Sequence, residues 1–400
     1  MSTSLLYHGF GIRGYQHVAT EYVGGEIWFS IEQPRESLCC PLCDSAEVTR
    51  RGGEWRTFRT LPVGRRPVTV SLKLARVGCA ACDVVRQVAI PFADPRRTYT
   101  KSFARYALEL SRHMTIQDVA DHLGWDLIKD IQKTDLQRRF KKIPLKKLRQ
   151  LAIDEISIGK HGRFLTVVLD LQRGAVMFVA EGKGSSALEP FWRRLRAARA
   201  KIQAVDMSPA YIKAVSEHLP KAEIVFDHFL IIKLFNEKLS DLRRELFRQA
   251  RDQELKDVLK GTRWLLLKNP EHLDPQHNEQ QRLDQALKLN APLATAYYLK
   301  EDLRQLWQQP NWRAARKFLT AWCKRARASG IRILQQFAQT PRKHARGILN
   351  YFKFPISTGP LEGTNNKIRT MQRQAYGFRD TEFFKLKIYA LHETRYELVG

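Results

Sequence analysis

Residues 151–180 read LAIDEISIGKHGRFLTVVLDLQRGAVMFVA. Three apolar runs, at 151–156, 164–171 and 176–180, are separated by short Gly-containing turns. Short runs rich in Val, Ile, Leu and Phe between turn signals read as strands. A helical pattern follows at 187–200, a short apolar strand at 202–205, a helix at 210–218 and a further strand at 223–226. The order β-β-β-α-β-α-β predicts an α/β domain with a mixed sheet.

Two carboxylates sit in this pattern. Asp154 lies in or at the end of the first strand, and Asp206 ends a later one. A carboxylate in an apolar strand is costly unless something cationic pairs with it. A third acid, Glu362, opens a helix in Thr358-Gly-Pro-Leu-Glu362-Gly-Thr-Asn-Asn. Taken singly, each has a plain structural use. Asp206 could cap the helix at Ala210, Glu362 could complement a helix dipole, and Asp154 could pair with an arginine. Taken together, in this order, they are the oxygen ligands that a pair of Mg²⁺ or Mn²⁺ ions needs.

Downstream, residues 229–350 are helical in pattern and hold four of the eight tryptophans, and helices follow from Pro355. Upstream, residues 138–149 form a Lys/Arg-rich run interrupted by Pro144. Before it, Thr115 reads as the N-cap of a short helix carrying Val119, Ala120 and Leu123, which Gly124 breaks. A second helix carries Leu127, Ile128, Ile131 and Leu136, making a helix-turn-helix. Lys129, Lys133, Arg138, Arg139, Lys141, Lys142, Lys146 and Lys147 are the expected DNA contacts.

Further upstream stand two C-x-x-C pairs, Cys40/Cys43 and Cys79/Cys82, with a strand-like alternation from Val68 to Leu74 between them. Four thiolates suit a closed, structural Zn²⁺ site. Cys39 could replace Cys40 but has the poorer spacing to Cys43, and Cys323 reads as core. Residues 1–38 suggest a strand or two.

The composition narrows the partner. The 400 residues hold 68 Lys+Arg against 41 Asp+Glu, a net charge of +27, and both halves of the chain are basic. That excludes cationic substrates and points to a polyanion. No apolar run approaches the roughly 20 residues of a membrane span, and the first residues lack a secretory pattern. The expected location is the cytoplasm, on nucleoid DNA, where cysteines bind metal rather than form disulfides.

These residues resemble the DDE insertion-sequence transposases, most closely the ISL-three family. The shared segments are the two cysteine pairs, the helix-turn-helix at 115–138 and Ile153-Asp154-Glu155. To these add Val205-Asp206-Met-Ser-Pro-Ala-Tyr211, Ala222-Glu-Ile-Val-Phe-Asp227-His-Phe229 and Glu362-Gly-Thr-Asn365-Asn366-Lys367-Ile368.

The resemblance implies a multidomain α/β protein. It would have an N-terminal zinc module at 1–98, a helix-turn-helix at 99–137 and a basic linker at 138–150. An RNase H-like core at 151–228 would follow, then a large helical insertion at 229–354. The segment 355–400 would return to the core with Glu362. Asp154 and Asp206 would lie on neighbouring strands, and Asp154, Asp206 and Glu362 would be the catalytic residues, holding two Mg²⁺ or Mn²⁺ ions. The implied reaction is metal-dependent cleavage at transposon ends and transfer into target DNA, by a homodimer or larger assembly on paired ends.

Asp227, Asn365, Asn366, Lys367 and Arg369 are expected to support the site. One position departs from the family pattern. Leu230 stands where an Asp-x-x-His pair would have its histidine, with His228 displaced by two. The other function classes are a transposase-derived DNA-binding regulator without catalysis and a structure-specific nuclease.

Overall fold

The computed structural model describes residues 4–159, 162–207 and 209–393. It divides into two compact units, Met1–Lys142 with Arg373–Gly400, and Ile143–Gln372. In chain order the first unit begins with α1 (Leu5–Phe10), β1 (Gln16–Val23), β2 (Glu26–Glu32), β3 (Val48–Val63), β4 (Arg66–Cys79) and β5 (Val84–Gln87). It continues with α2 (Lys101–Leu110), α3 (Ile116–Leu123) and α4 (Ile128–Phe140). The second unit holds β6 (Gln150–Ser157), β7 (Phe164–Asp170), β8 (Ala175–Glu181), α5 (Glu189–Ala197), β9 (Ala204–Met207), α6 (Ile212–His218) and β10 (Glu223–Val225). Then come α7 (His228–Gln249), α8 (Gln253–Gly261), α9 (Glu279–Leu289), α10 (Ala291–Arg304) and α11 (Trp312–Ala328). Three short helices follow, α12 (Arg332–Phe337), α13 (Gln339–Lys343) and α14 (Ala345–Leu349), then α15 (Gly359–Gln374). The chain returns to the first unit as α16 (Thr381–Tyr389).

In the first unit the strands run β1-β2-β4-β3, with β5 also on β4. The alternation at 68–74 belongs to a much longer hairpin. Its other arm, β3, is 16 residues long. Half of β3 is exposed and its register shifts between Arg50 and Gly53, so apolar alternation does not run along it.

Thr115 caps α3 in a reciprocal capping box with Asp118, and Gly124 ends it in the left-handed conformation that glycine adopts without strain. Phe103, Val119, Leu123, Ile128 and Ile131 share one core, so α2, α3 and α4 form a packed three-helix module. Arg59, buried in β3, donates to Leu123 O (3.0 Å) and Glu26 Oε1 (3.1 Å) and lies over Trp125.

Two expected boundaries move. The basic linker begins later than 138, because α4 continues through Arg138, Arg139 and Phe140. The segment 355–400 does not all stay with the sheet of the second unit. Phe383 and Ala390 bury themselves with Leu136 of α4, which places α16 in the first unit.

The second sheet runs β10-β9-β6-β7-β8, with β6, β9 and β10 parallel and β7 and β8 antiparallel. Its faces differ. Leu151, Ile153, Val168 and Val205 share a core with Phe191, Trp192, Leu195, Ala214 and Val215 of α5 and α6. Ala204 and Val225 point the other way and pack on Ile356, just before α15. The helices from α7 to α14 have their own core around Phe235, Leu293, Leu319, Trp322 and Phe337. They nevertheless belong to one compact unit with the sheet.

Candidate active site

Strand alternation sets which acids can meet, because successive side chains take opposite faces. Asp206 pairs in register with Ala152, two residues before Asp154 on the adjacent parallel strand. Asp154 and Asp206 therefore share a face, the one that packs against Ile356 and not the one under α5 and α6. Asp206 is fully buried and Asp154 partly so. Burial holds the Asp154 carboxyl above its ordinary range, and the Asn365 amide and the charge of Lys233 oppose that shift.

Glu155 takes the opposite face. Its Oε1 accepts from the Tyr211 hydroxyl (2.8 Å) and the Gly184 amide (3.2 Å). Burial pushes that tyrosine hydroxyl up to about 12. The carboxylate is thus bound into the layer beneath α6.

Two contacts bring α15 to the sheet. Asn365 Nδ2 donates to Asp154 Oδ2 (2.9 Å), and Gln372 Nε2 donates to Ile158 O. Its approach is fixed by Asp227, which is fully buried after β10. Asp227 Oδ2 accepts from Ser357 Oγ (2.9 Å), Thr358 N (2.8 Å) and Thr358 Oγ1 (2.9 Å), while Oδ1 meets His228. Burial alone would raise this carboxyl. The His228 ring, the Thr358 amide and Ser357 instead bring it to about 2, so it is an anion. One carboxylate thereby caps α7 and pins the entry to α15.

Glu362 is in the first turn of α15, exposed. Among the described residues, Asp154, Asp206 and Glu362 do not bring three ligand atoms together as a metal-holding group. Asn366 Oδ1 accepts from Arg369 (3.3 Å), and Asn366, Lys367 and Arg369 are all exposed. Lys233, one turn and a half into α7, lines a cleft of about 890 Å³ with His228, Phe229 and Trp307. The His228 ring meets Phe229 at 4.1 Å and Trp307 at 5.9 Å between centroids, while Leu230 packs against the helical core.

The cysteine cluster is complete. The Sγ atoms of Cys40, Cys43, Cys79 and Cys82 all lie within 4.8 Å of one another, and Cys43 and Cys79 are 3.7 Å apart. Tetrahedral bonds of about 2.3 Å to a zinc ion would set sulfurs about 3.8 Å apart. Each pair is followed by an aspartate in the left-handed conformation, Asp44 (φ 57) and Asp83 (φ 47), which turns the chain back sharply. The amides of Leu42 and Cys43 lower the Cys40 thiol to about 7. Cys39 is exposed and outside the cluster, so the site takes Cys40.

A family model described as transposase matches residues 151–388. A second, described as the helix-turn-helix domain of transposase family ISL3, matches residues 88–131. The chain belongs to the ISL3 family of DDE transposases. It is 34% identical to the transposase for insertion sequence element IS1001 of Bordetella parapertussis, over 96% of this chain and 95% of that one. It is 27% identical to the transposase for insertion sequence element IS1557 of Mycobacterium tuberculosis, over 88% of this chain and 85% of that one.

As a DNA transposase the protein cleaves and transfers DNA strands and binds DNA. The cations expected to touch DNA differ in their engagement. Lys129 and Lys133 pair with Asp380, and Lys133 also with Glu382, so they brace α4 against α16. Arg138 and Arg139 share Asp135. Lys141, Lys142, Lys146 and Lys147 are exposed. No helix of the described residues is long and apolar enough to cross a membrane.

Sequence reasoning assigned no role to Glu155, Tyr211, Lys233, Ser357 or Thr358. Glu155 and Tyr211 stood inside quoted motifs, where alternation separates Glu155 from its neighbour. Nothing in the spacing of Lys233 or Ser357 marks them, since both act across long sequence distances.

Proposed function

We propose that the transposase cuts and joins DNA on the sheet face carrying Asp154 and Asp206, with Glu362 arriving on α15. The observation that carries this is the Ala152–Asp206 register, which sends both aspartates to one face, together with the Asn365–Asp154 bond from the helix bearing Glu362. The strand order supports an RNase H-like core, with the first and fourth strands as neighbours and the second and third antiparallel beside them.

The donor set suits hard divalent cations. It offers carboxylate oxygens without thiolate or imidazole, and a partly buried aspartate whose carboxyl burial raises and a nearby cation would lower. Asp154, Asp206 and Glu362 would hold Mg²⁺ or Mn²⁺, two ions per site. Bound there, the ions supply charge that activates the attacking oxygen and stabilises the leaving one.

The remaining work falls to the chain. Asn365 holds one oxygen of Asp154 in place. Asp227 fixes where α15 begins, and so where Glu362 stands. Asn366, Lys367 and Arg369 follow Glu362 on α15 and would meet phosphates flanking the scissile bond. In the first unit the cysteine quartet would hold a structural Zn²⁺. Lys141, Lys142, Lys146 and Lys147 would contact DNA backbone, with Lys129, Lys133, Arg138 and Arg139 joining them through donors left over from their ion pairs. A homodimer or larger assembly would hold the paired ends.

The test is cleavage of labelled DNA carrying the element's end, with Mg²⁺ or Mn²⁺. Asp206→Asn is expected to lower cleavage at least roughly a thousandfold, the scale of losing a dominant electrostatic group, while end binding persists. Undiminished cleavage by this variant would remove Asp206 from the site.

A further inference from the structure

The 59 residues 303–361 contain twelve Lys and Arg and no Asp or Glu. The structure gathers five of these cations. Lys324 and Arg327 of α11, Arg332 of α12, and Arg342 and Lys343 of α13 line an open groove of about 1060 Å³. Its other lining residues are alanines and three glutamines, with no acid.

All five cations are exposed, and none makes an ion pair among the described residues. Their neighbours outside the groove do: Arg325 reaches Asp302 and Arg346 reaches Glu223, in each case an acid from beyond the stretch. The groove thus gathers five cations that no acid compensates, beside Arg313, Arg316 and Lys317 of α11, which also make no ion pair among the described residues. Packing them this way costs self-repulsion, which a polyanion relieves.

We infer that this groove is a second DNA surface, seating the backbone of duplex that the helix-turn-helix does not read, namely target DNA. The inference rests on the transposase reading and adds the place where the second duplex lies. Long, flexible cations address phosphates, which fix position and carry no sequence information. Sequence reading already has its own element in α3 and α4. A surface of unpaired lysines and arginines with amide side chains between them fits the duplex whose sequence is not prescribed.

The test uses the full chain with Arg327→Gln, Arg332→Gln and Arg342→Gln combined, all exposed positions that leave the core of α11 to α13 untouched. A charge-matched control carries Arg193→Gln, Lys201→Gln and Lys221→Gln, also exposed. Protein preloaded with end DNA is offered labelled duplex of unrelated sequence over a range of salt.

The groove variant is expected to capture the second duplex at least roughly tenfold less well, with the salt slope reduced by about 0.9 for each phosphate it no longer neutralises. The control is expected to match wild type, and the footprint on end DNA to persist. Equal behaviour of variant and control overturns the inference. So does a loss of self-association with unchanged capture, which would make the groove an interface between copies. Asp206→Asn separates the two readings. If it still cleaves, the catalytic assignment falls while capture in the groove stands. If it captures normally but no longer cleaves, and the groove variant fails in capture, both stand.

Discussion

The cysteine quartet and the proposed carboxylate site are two candidate ligand sets in opposite states of assembly. The four sulfurs converge within one hairpin region, between Cys40 and Cys82, and local turns at Asp44 and Asp83 aim them inward. The acids come from β6, β9 and α15, and their oxygens do not close into one cluster. Soft thiolates at close range suit a metal that stays and contributes to folding. Carboxylates held on separate elements, one of them exposed on a helix, suit ions that arrive with a substrate. The difference teaches that closure in the first site is local geometry, while in the second it depends on how α15 is held.

Four experiments break or sharpen that contrast. The largest effect is expected from Cys40→Ser. Bound zinc, measured as metal per chain, should fall from one equivalent to none, and the first unit should lose cooperative thermal unfolding, as structural zinc carries folding free energy. A metal-free variant that melts like wild type would end the structural role.

Next is Asp227→Ala, which removes the acceptor for Ser357 and Thr358. Leaving these donors without it should cost about 2–3 kcal/mol, read by denaturant unfolding. A smaller change would mean that α15 is held by other interactions.

Third, Asn365→Ala should reduce cleavage by about tenfold or more, the scale for partners that orient metal ligands, with DNA binding unchanged. Asn365→Asp should not restore it, since a second anion would face Asp154.

The smallest effect concerns Asp154 without metal. Its folded carboxyl is raised by burial, so folding is favoured with the proton on. That contribution is present below the ordinary aspartate value near 3.8 and is lost as pH rises through the raised value. Melting temperature measured in chelator should decline across that window, and Asp154→Asn should flatten the decline. A decline of equal size in the variant would assign it to other groups.

Much of this was legible before the fold. The order β-β-β-α-β-α-β, the N-cap at Thr115 and the preference for Cys40 over Cys39 follow from alternation, capping chemistry and spacing, all of which act within a few residues. What was not legible acts across distance. α16 joins the first unit through Phe383 and Ala390 on Leu136, and no local pattern announces that partnership. The hairpin arm β3 was hidden because its exposed residues need no apolar alternation. Lys129 and Lys133 read as free cations from sequence, and Asp380 and Glu382 claim them only in three dimensions. His228 lines the cleft with Phe229 and Trp307 while Leu230 packs against the helical core, an exchange visible only once α7 is wound.

The return of α16 to α4 also sets a timetable. Asp380 follows Lys133 by 247 residues. At ribosomal rates of about 5–20 residues per second, the brace arrives on the order of ten to fifty seconds after the helix it supports. Through that interval Leu136 lacks the cover of Phe383 and Ala390, and the whole strand-and-helix assembly between them is being made. The reading head is therefore finished last, after the cutting machinery, and a chain interrupted before Phe383 would carry it unbraced.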